Sequence, residues 1–271
     1  LPLSLSHLII HQSGIPLVYT PGRNANSVSE FFFGLLIGLV RRIAADAHAL
    51  RSGRYLGPAK ENVLVLDPQQ DVVWFMPDGS SPMRDFGGGF ELYGRTLGLI
   101  GFGAIGRRVG HTAKEGFGMK VKVYDPYCSA ETIESCGCEK VSLAEALSTS
   151  DVVSIHLPVN EETRGMIGKD QLALLRPGAI LVNMARGAVT DEAAVAEAIL
   201  AGRLGGFGAD VYSTEPFGAE HPFSALLGMP QVCLTPHMSW GALEARERCL
   251  REMILNMQAF FRGELRNRVD C

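Results

Sequence analysis

From Thr96 onward, short apolar runs alternate with segments of helical spacing. TLGLIGFG (96–103) predicts a strand that ends in glycine, and 104–117 carries a helical pattern. KVKVYD (120–125) predicts a second strand, LAEALSTS (143–150) a helix, and VVSIHLP (152–158) a strand closed by Pro158. A short helix is expected from Asp170 to Leu175, stopped by Pro177-Gly178, followed by the strand AILVNMA (179–185). Asp191 is placed to cap a helix running to about Ala201, where Gly202 stops it. Gly206 to Tyr212 and Val232 to His237 predict two further strands. Ser239 or Gly241 opens a last long helix that reaches about Arg262 and ends at Gly263. Strand–helix alternation of this kind implies a parallel sheet covered by helices on both faces, joined by right-handed crossovers.

The region before Thr96 reads differently. PGRNANSVSEFFFGLLIGLVRRIAADAHAL (21–50) predicts one long helix, with Asn26 or Ser27 as N-cap and Glu30 three or four residues on. Within it the apolar run Phe31 to Val40 is ten residues long, and a membrane span needs about twenty. The run is therefore expected in a buried helix. Residues 53–94 are rich in Gly, Pro, Asp and Ser. In that stretch VLVLD (63–67) and VVWF (72–75) have the look of a small hairpin, within an excursion that precedes the first strand of the main sheet. The first ten residues, LPLSLSHLII, lack the charged start and small-residue cleavage site of a signal peptide. They read as the end of an element, so the natural protein is expected to extend further at its N-terminus.

Composition narrows the partners. The formal net charge is −4, so neither nucleic acid nor a membrane surface is an expected partner, since both favour a concentrated basic face. Six cysteines are scattered along the chain, and Cys136 and Cys138 form a lone C-x-C with no second pair at zinc spacing. Reduced thiols in a cytoplasmic protein are expected, and no metal site.

The turn Gly101-Phe102-Gly103-Ala104-Ile105-Gly106 carries the first chemistry. It follows a predicted strand and opens a predicted helix. Asp125 closes the next strand, 19 residues after Gly106. Gly101 permits the tight turn, Gly103 lets the backbone approach a pyrophosphate, and Gly106 lets helix and strand pack closely. The helix N-terminus offers unpaired N–H groups and a positive dipole end to phosphates. A carboxylate at Asp125 would accept from ribose hydroxyls and repel a 2′-phosphate, which points to NAD rather than NADP. The expected fold is thus α/β, a doubly wound (Rossmann) nucleotide-binding domain.

Arg186, Glu215 and His237 follow predicted strands on one edge of that sheet, where ligands of such folds bind. Arg186 can grip a carboxylate or carbonyl oxygen with its planar fork. His237 can exchange a proton with a substrate hydroxyl as a hydride moves to or from a nicotinamide. Glu215 near His237 would favour the charged ring and hold its tautomer. Singly, each has a plain alternative: a surface charge, a loop carboxylate, a packed core histidine.

Six segments in order, PGRNANSVSE (21–30), GRTLGLIGFGAIGRRV (94–109), VVSIHLPVNEETRGMI (152–167), NMARGAVTDEAAV (183–195), GADVYSTEP (208–216) and LTPH (234–237), resemble the D-isomer-specific 2-hydroxyacid dehydrogenase family. The resemblance implies Arg186, Glu215 and His237 as the catalytic residues. It implies cofactor contacts from Ala104, Ile105 and Asp125, an adenosine-side cleft lined by His156, Leu157, Pro158 and Thr163, and Met184, Ala185 and Asp210 near the nicotinamide. It also implies a small 2-hydroxy or 2-keto acid as substrate and two α/β domains with the site between them. Residues 1–20 would be a remnant of a flavodoxin-like substrate domain, 21–237 the NAD-binding domain with its excursion at about 53–94, and 238–271 a C-terminal helix returning to the substrate domain. A homodimer is implied, because the 27–50 helix resembles the one that builds the family's dimer interface. The chain departs from the pattern in the length of the excursion, in Asn160 where Thr is common, and in Trp240. A Trp there resembles the corepressor branch of the family and would face the substrate cleft, or else packs under the last helix. The second reading kept open is an NAD(H)-binding regulator on the same fold.

Overall fold

The computed structural model describes residues 16–57, 63–65 and 72–268. Residues 1–15, and the last two residues of the expected strand 63–67, lie outside them.

In chain order the first elements are α1 (Ala25–Val40), α2 (Ile43–Arg51), β1 (Val63–Val65), β2 (Val72–Trp74) and α3 (Pro82–Phe86). The main sheet then begins: β3 (Thr96–Ile100), α4 (Ala104–Phe117), β4 (Lys120–Tyr124), α5 (Ala130–Ser135), β5 (Glu139–Lys140), α6 (Leu143–Thr149) and β6 (Val152–Ile155). It continues through α7 (Lys169–Leu174), β7 (Ile180–Asn183), α8 (Glu192–Leu200), β8 (Gly206–Ala209), β9 (Val232–Leu234) and α9 (Leu243–Phe261), with 3₁₀ turns at Gly187–Val189 and Pro222–Leu226.

Seven strands lie in the order β5-β4-β3-β6-β7-β8-β9, and every pairing is parallel. The chain winds outward from β3 to β5, returns to β6 beside β3, and winds outward again to β9. The strand order therefore reverses between β3 and β6, and a crevice opens there at the carboxyl ends. Central strands β6 and β7 are buried at every position, as expected of a parallel sheet with both faces covered. One face packs under α1 and α4 through Phe32, Leu36, Leu97, Leu99 and Val109. The other packs through Ile155, Leu181, Val195, Ile199 and Phe207. The excursion pairs β1 with β2 as an antiparallel hairpin, Val63 opposite Trp74. It stands apart as its own two-stranded sheet.

Several boundaries differ from the sequence expectation. The 21–50 helix is two helices, broken at Arg42, whose backbone is left-handed at φ 54°. The Arg42 guanidinium donates to the carbonyls of Asp85 and Gly87 at 3.5 and 3.4 Å, so a tertiary contact holds the break. The N-cap is Asn24, without a side-chain cap bond, rather than Asn26 or Ser27. The Ser27 hydroxyl instead donates to the Ser239 carbonyl at 2.5 Å. The last helix starts at Leu243, not at 239 or 241, because Asp210 captures the N–H groups of Met238 and Ser239. Helix α5 and strand β5 were not anticipated. Both are short, and α5 is announced only by its Ser129 cap accepting from Thr132 N.

Candidate active site

At the switch point, β3 turns into α4 through Gly101, whose φ is +103°. A Cβ there would lie 2.6 Å from the His156 carbonyl oxygen, so a side chain would separate β3 from β6. A Cβ at Gly106 would run into the Gly101 carbonyl, whereas one at Gly103 would meet nothing within 4 Å. The backbone of Gly103 thus borders open space at the start of a 14-residue helix that has no side-chain cap and no acidic residue in its first turn. The first N–H groups of a helix have no partner inside it, so this end is free to bind an anion. Phe102 is 1% exposed, with its N–H donated to Asp125 and its carbonyl accepting from Arg107 Nε; its place in the turn is structural.

Asp125 follows β4 and reaches across to the turn. One oxygen accepts from Phe102 N at 2.8 Å, and the other from Tyr127 N and Cys128 N at 2.9 and 3.0 Å. Across the crevice, His156, Leu157 and Pro158 follow β6. His156 Nε2 bonds the Ser154 hydroxyl at 2.8 Å, while Nδ1 is buried with no partner among the described residues. Burial lowers the pKa of this ring to about 3. Thr163 donates to the Pro158 carbonyl at 2.6 Å and exchanges bonds with Asn160. Asn160 therefore serves as a side-chain staple for this loop.

Past β7, Met184 and Ala185 are buried and Arg186 is exposed. Asn183, 1% exposed, shapes that turn by accepting from Ala185 N and donating to the Arg186 carbonyl, both at 3.0 Å. Sequence reasoning passed over Asn183, although an Asn at the end of an apolar strand is a signal that a turn needs a local acceptor. Past β8, the fully buried Asp210 accepts from Thr235 Oγ1, Met238 N and Ser239 N at 2.6, 2.9 and 2.8 Å. Its carboxylate thereby organises the loop that carries His237.

That loop brings two predicted residues together. His237 Nδ1 lies 2.6 Å from Glu215 Oε2, and Glu215 Oε1 accepts from Tyr212 N at 2.8 Å. The Tyr212 hydroxyl donates to the Thr235 carbonyl at 2.8 Å, and burial raises its pKa, which keeps it a donor. His237 holds a left-handed backbone, φ 54°, and Trp240 Nε1 donates to its carbonyl at 2.9 Å. Trp240 is 44% exposed and so does not pack under the last helix. With Nδ1 turned to Glu215, Nε2 of a 37% exposed ring is left for a reactant. A cleft of about 350 Å³ adjoins the pair, lined by Tyr212, Phe217, Leu227, Leu234 and Pro236. Arg186, whose Nη1 donates to the Ala185 carbonyl at 2.7 Å, stands on the same strand-end edge but makes no bond to either. A proton donor held by a carboxylate, an exposed guanidinium and an anion-binding turn at the ends of one sheet suit hydride chemistry on a small anion.

The sequence profile described as D-isomer specific 2-hydroxyacid dehydrogenase, NAD binding domain, matches residues 33–239. The chain is 36% identical over 252 residues to a glyoxylate reductase of Korarchaeum cryptofilum, an alignment covering 93% of this chain and 68% of that protein. It is 31% identical over 259 residues to a hydroxypyruvate reductase of Blautia hydrogenotrophica, covering 96% and 72%. The structure of D-lactate dehydrogenase from Aquifex aeolicus complexed with NAD and lactic acid superposes with a TM-score of 0.77 at 28% identity, over 97% of this chain and 75% of that one. Sheet, turn and relatives agree, and the chain belongs to the D-isomer-specific 2-hydroxyacid dehydrogenases, an NAD-dependent oxidoreductase family whose cofactor-binding domain makes up most of it.

Proposed function

We propose that the chain reduces a small 2-keto acid of the glyoxylate and hydroxypyruvate class to the D-2-hydroxy acid, with Arg186, Glu215 and His237 as the catalytic residues. The observation that carries this reading is the 2.6 Å contact between His237 Nδ1 and Glu215 Oε2. The names of the relatives supply the substrate class.

The crevice residues fit NAD: open space at Gly103, an uncapped helix end, and a carboxylate at the end of β4. The turn 101–106 would hold the pyrophosphate, Asp125 the adenosine ribose, and His156, Leu157, Pro158 and Thr163 would line the adenosine side. Met184, Ala185, Arg186, Asp210 and His237 would border the nicotinamide. NADH, when bound, supplies the hydride. Arg186 pairs with the substrate carboxylate and orients the carbonyl. His237, charged and donating Nδ1–H to Glu215, gives its Nε2 proton to the carbonyl oxygen as that oxygen gains negative charge. Glu215 accepts the Nδ1–H throughout, so the ring keeps the tautomer that presents Nε2. In the reverse direction the neutral ring removes the hydroxyl proton through the same atom.

Residues 21–237 act in this reading as the cofactor domain, with 1–20 and 238–271 belonging to the substrate domain. The bridge between Val18 and Arg268, and the bond from Tyr19 N to the Asn267 carbonyl at 3.1 Å, support joining those two stretches. We further propose a cytoplasmic homodimer; the free thiols of Cys128, Cys136, Cys138, Cys233 and Cys249 suit a reducing compartment. The half-exposed Trp240 favours one second reading, an NADH-responsive regulator of the corepressor type. A single assay separates the two: NADH oxidation followed with glyoxylate, hydroxypyruvate, pyruvate and phenylpyruvate. Turnover of one or more supports the enzyme, and tight NADH binding without any turnover overturns it.

A further inference from the structure

Behind the catalytic edge lies a second carboxylate–histidine pair to which the reaction assigns nothing. Glu192 opens α8 with its side chain 7% exposed, and His221 faces it with its own at 8%. Glu192 Oε2 meets His221 Nε2 at 3.0 Å. His221 Nδ1 accepts from Phe223 N at 3.2 Å, so the ring proton sits on Nε2 and donates to Glu192. Phe217 and Phe223 wall the imidazole at centroid distances of 4.7 and 5.1 Å. A buried carboxylate requires donors, and Glu192 takes its others from one residue: Ser213 N at 2.8 Å, and the Ser213 hydroxyl.

Ser213 is where this pair meets the active site. The preceding residue, Tyr212, donates its N–H to Glu215, the partner of His237. On the other side, a Cβ at Gly187 would run into the Tyr212 carbonyl carbon and the Ser213 nitrogen. The turn that presents Arg186 therefore rests directly on the Tyr212–Ser213 peptide. The two consecutive peptides on either side of Tyr212 thus touch Glu215 and the Arg186 turn in succession, and Glu192 holds the second of them at Ser213, through its N–H and its hydroxyl. Glu192 also lies only five residues beyond Gly187, so the helix it opens continues the Arg186 turn.

We propose that Glu192, held by His221, is a positioning residue that fixes the spacing between Arg186 and the Glu215–His237 pair. The proposal rests on the catalytic reading of those three residues. Glu192→Gln keeps the shape but turns an amide N–H₂ toward the His221 or Ser213 donors, which breaks the grip. Because small displacements at a reacting centre cost on the order of 10²-fold, Glu192→Gln is expected to lower kcat for glyoxylate reduction by roughly 10- to 100-fold with the Kd for NADH unchanged. The discriminating measurement is the same substitution in a His237→Ala background. There it should lower the residual rate by a clearly smaller factor, since only the placement of Arg186 remains to be lost once the His237 ring is gone. An equal fold-loss in both backgrounds, or an unchanged kcat accompanied only by a lower Tm, would overturn the proposal. A readout independent of turnover is the ¹⁵N and ¹H NMR signature of the His237 Nδ1–H bond to Glu215. It should shift in Glu192→Gln, and an unaltered signature in the folded variant refutes the proposal even if the chain reduces none of the acids tried. If the wild-type chain shows no turnover and Glu192→Gln still shifts the signature, the positioning role stands and the catalytic reading alone is removed.

Discussion

His237 sits in a backbone conformation that non-glycine residues seldom adopt, and three groups hold it there. Asp210 pins the following N–H groups, Trp240 caps the His237 carbonyl, and Glu215 takes the ring. Removing the ring alone, His237→Ala, should lower kcat by about 10²–10⁴-fold, the usual worth of a general acid, while NADH fluorescence titration still shows binding. Loss of binding with turnover retained would contradict the assignment. Asp125 uses three acceptor positions on backbone N–H groups, and a carboxylate has about four. One remains for a ribose hydroxyl, and the negative charge opposes a 2′-phosphate. Like charges in contact cost several kcal/mol, so Asp125→Ala should narrow the NADH-over-NADPH preference in kcat/KM by about tenfold or more. An unchanged ratio would mean that Asp125 does not reach the ribose. His156 predicts an acid dependence. Its ring is neutral in the fold down to about pH 3, whereas in the unfolded chain it takes a proton near 6.5. Unfolding then binds one extra proton between these values, so its contribution to stability is complete above about pH 6.5 and is lost progressively as the pH falls toward 3. Denaturant titrations of His156→Gln should show a pH slope shallower by up to about 1.4 kcal/mol per pH unit in that window; identical slopes would place the proton elsewhere.

Among the elements, the long helices and central strands were legible because their apolar periodicity is strong. Their ends were not. Predicted strands 152–158, 179–185, 206–212 and 232–237 stop in the structure at Ile155, Asn183, Ala209 and Leu234. Beyond β7 and β8 residues 184–185 and 210–212 are buried, and Leu157, Pro158 and Pro236 are apolar, yet these stretches form the loops that carry His156, Arg186, Asp210 and His237. An apolar pattern reports burial, and at the closed edge of a parallel sheet loops are buried too. The same limit explains α1 and α2. Periodicity runs on through Arg41 and Arg42, and the break depends on carbonyls more than forty residues away. Helix α1 is the main cover of its sheet face. Phe32 is fully buried and stands edge-on to Phe33, with centroids 4.9 Å apart, and to His156 at 5.9 Å. Phe32→Ala should cost about 3–5 kcal/mol of stability in urea titration; a loss below about 1 kcal/mol, less than large-to-small core changes give, would show that α1 is not part of the cooperative core.

At the scale of the molecule, the reversal of strand order between β3 and β6 opens a crevice beside the glycine turn, and the all-parallel order sets the loops that follow β6, β7, β8 and β9 along the same edge of the sheet. The proposed homodimer is tested by light scattering on the purified chain, which should report twice the chain mass at micromolar concentration; a single chain mass would discard it. By itself the sequence determined the parallel α/β alternation, the glycine turn with its acidic partner, and the identities of Arg186, Glu215 and His237. These signals are local: a strand, a turn and a helix start are written in consecutive residues. Only the tertiary structure decided which groups meet. Glu215 and His237 are 22 residues apart and touch at 2.6 Å; Ser27 and Ser239 are 212 apart and touch at 2.5 Å. Asp210, which only the resemblance singled out, and Glu192, which no local pattern marks, are both buried and accept from the N–H groups of Met238 and Ser239 and of Ser213. A carboxylate's role depends on which donors long-range packing brings to it, and no short stretch of chain encodes that.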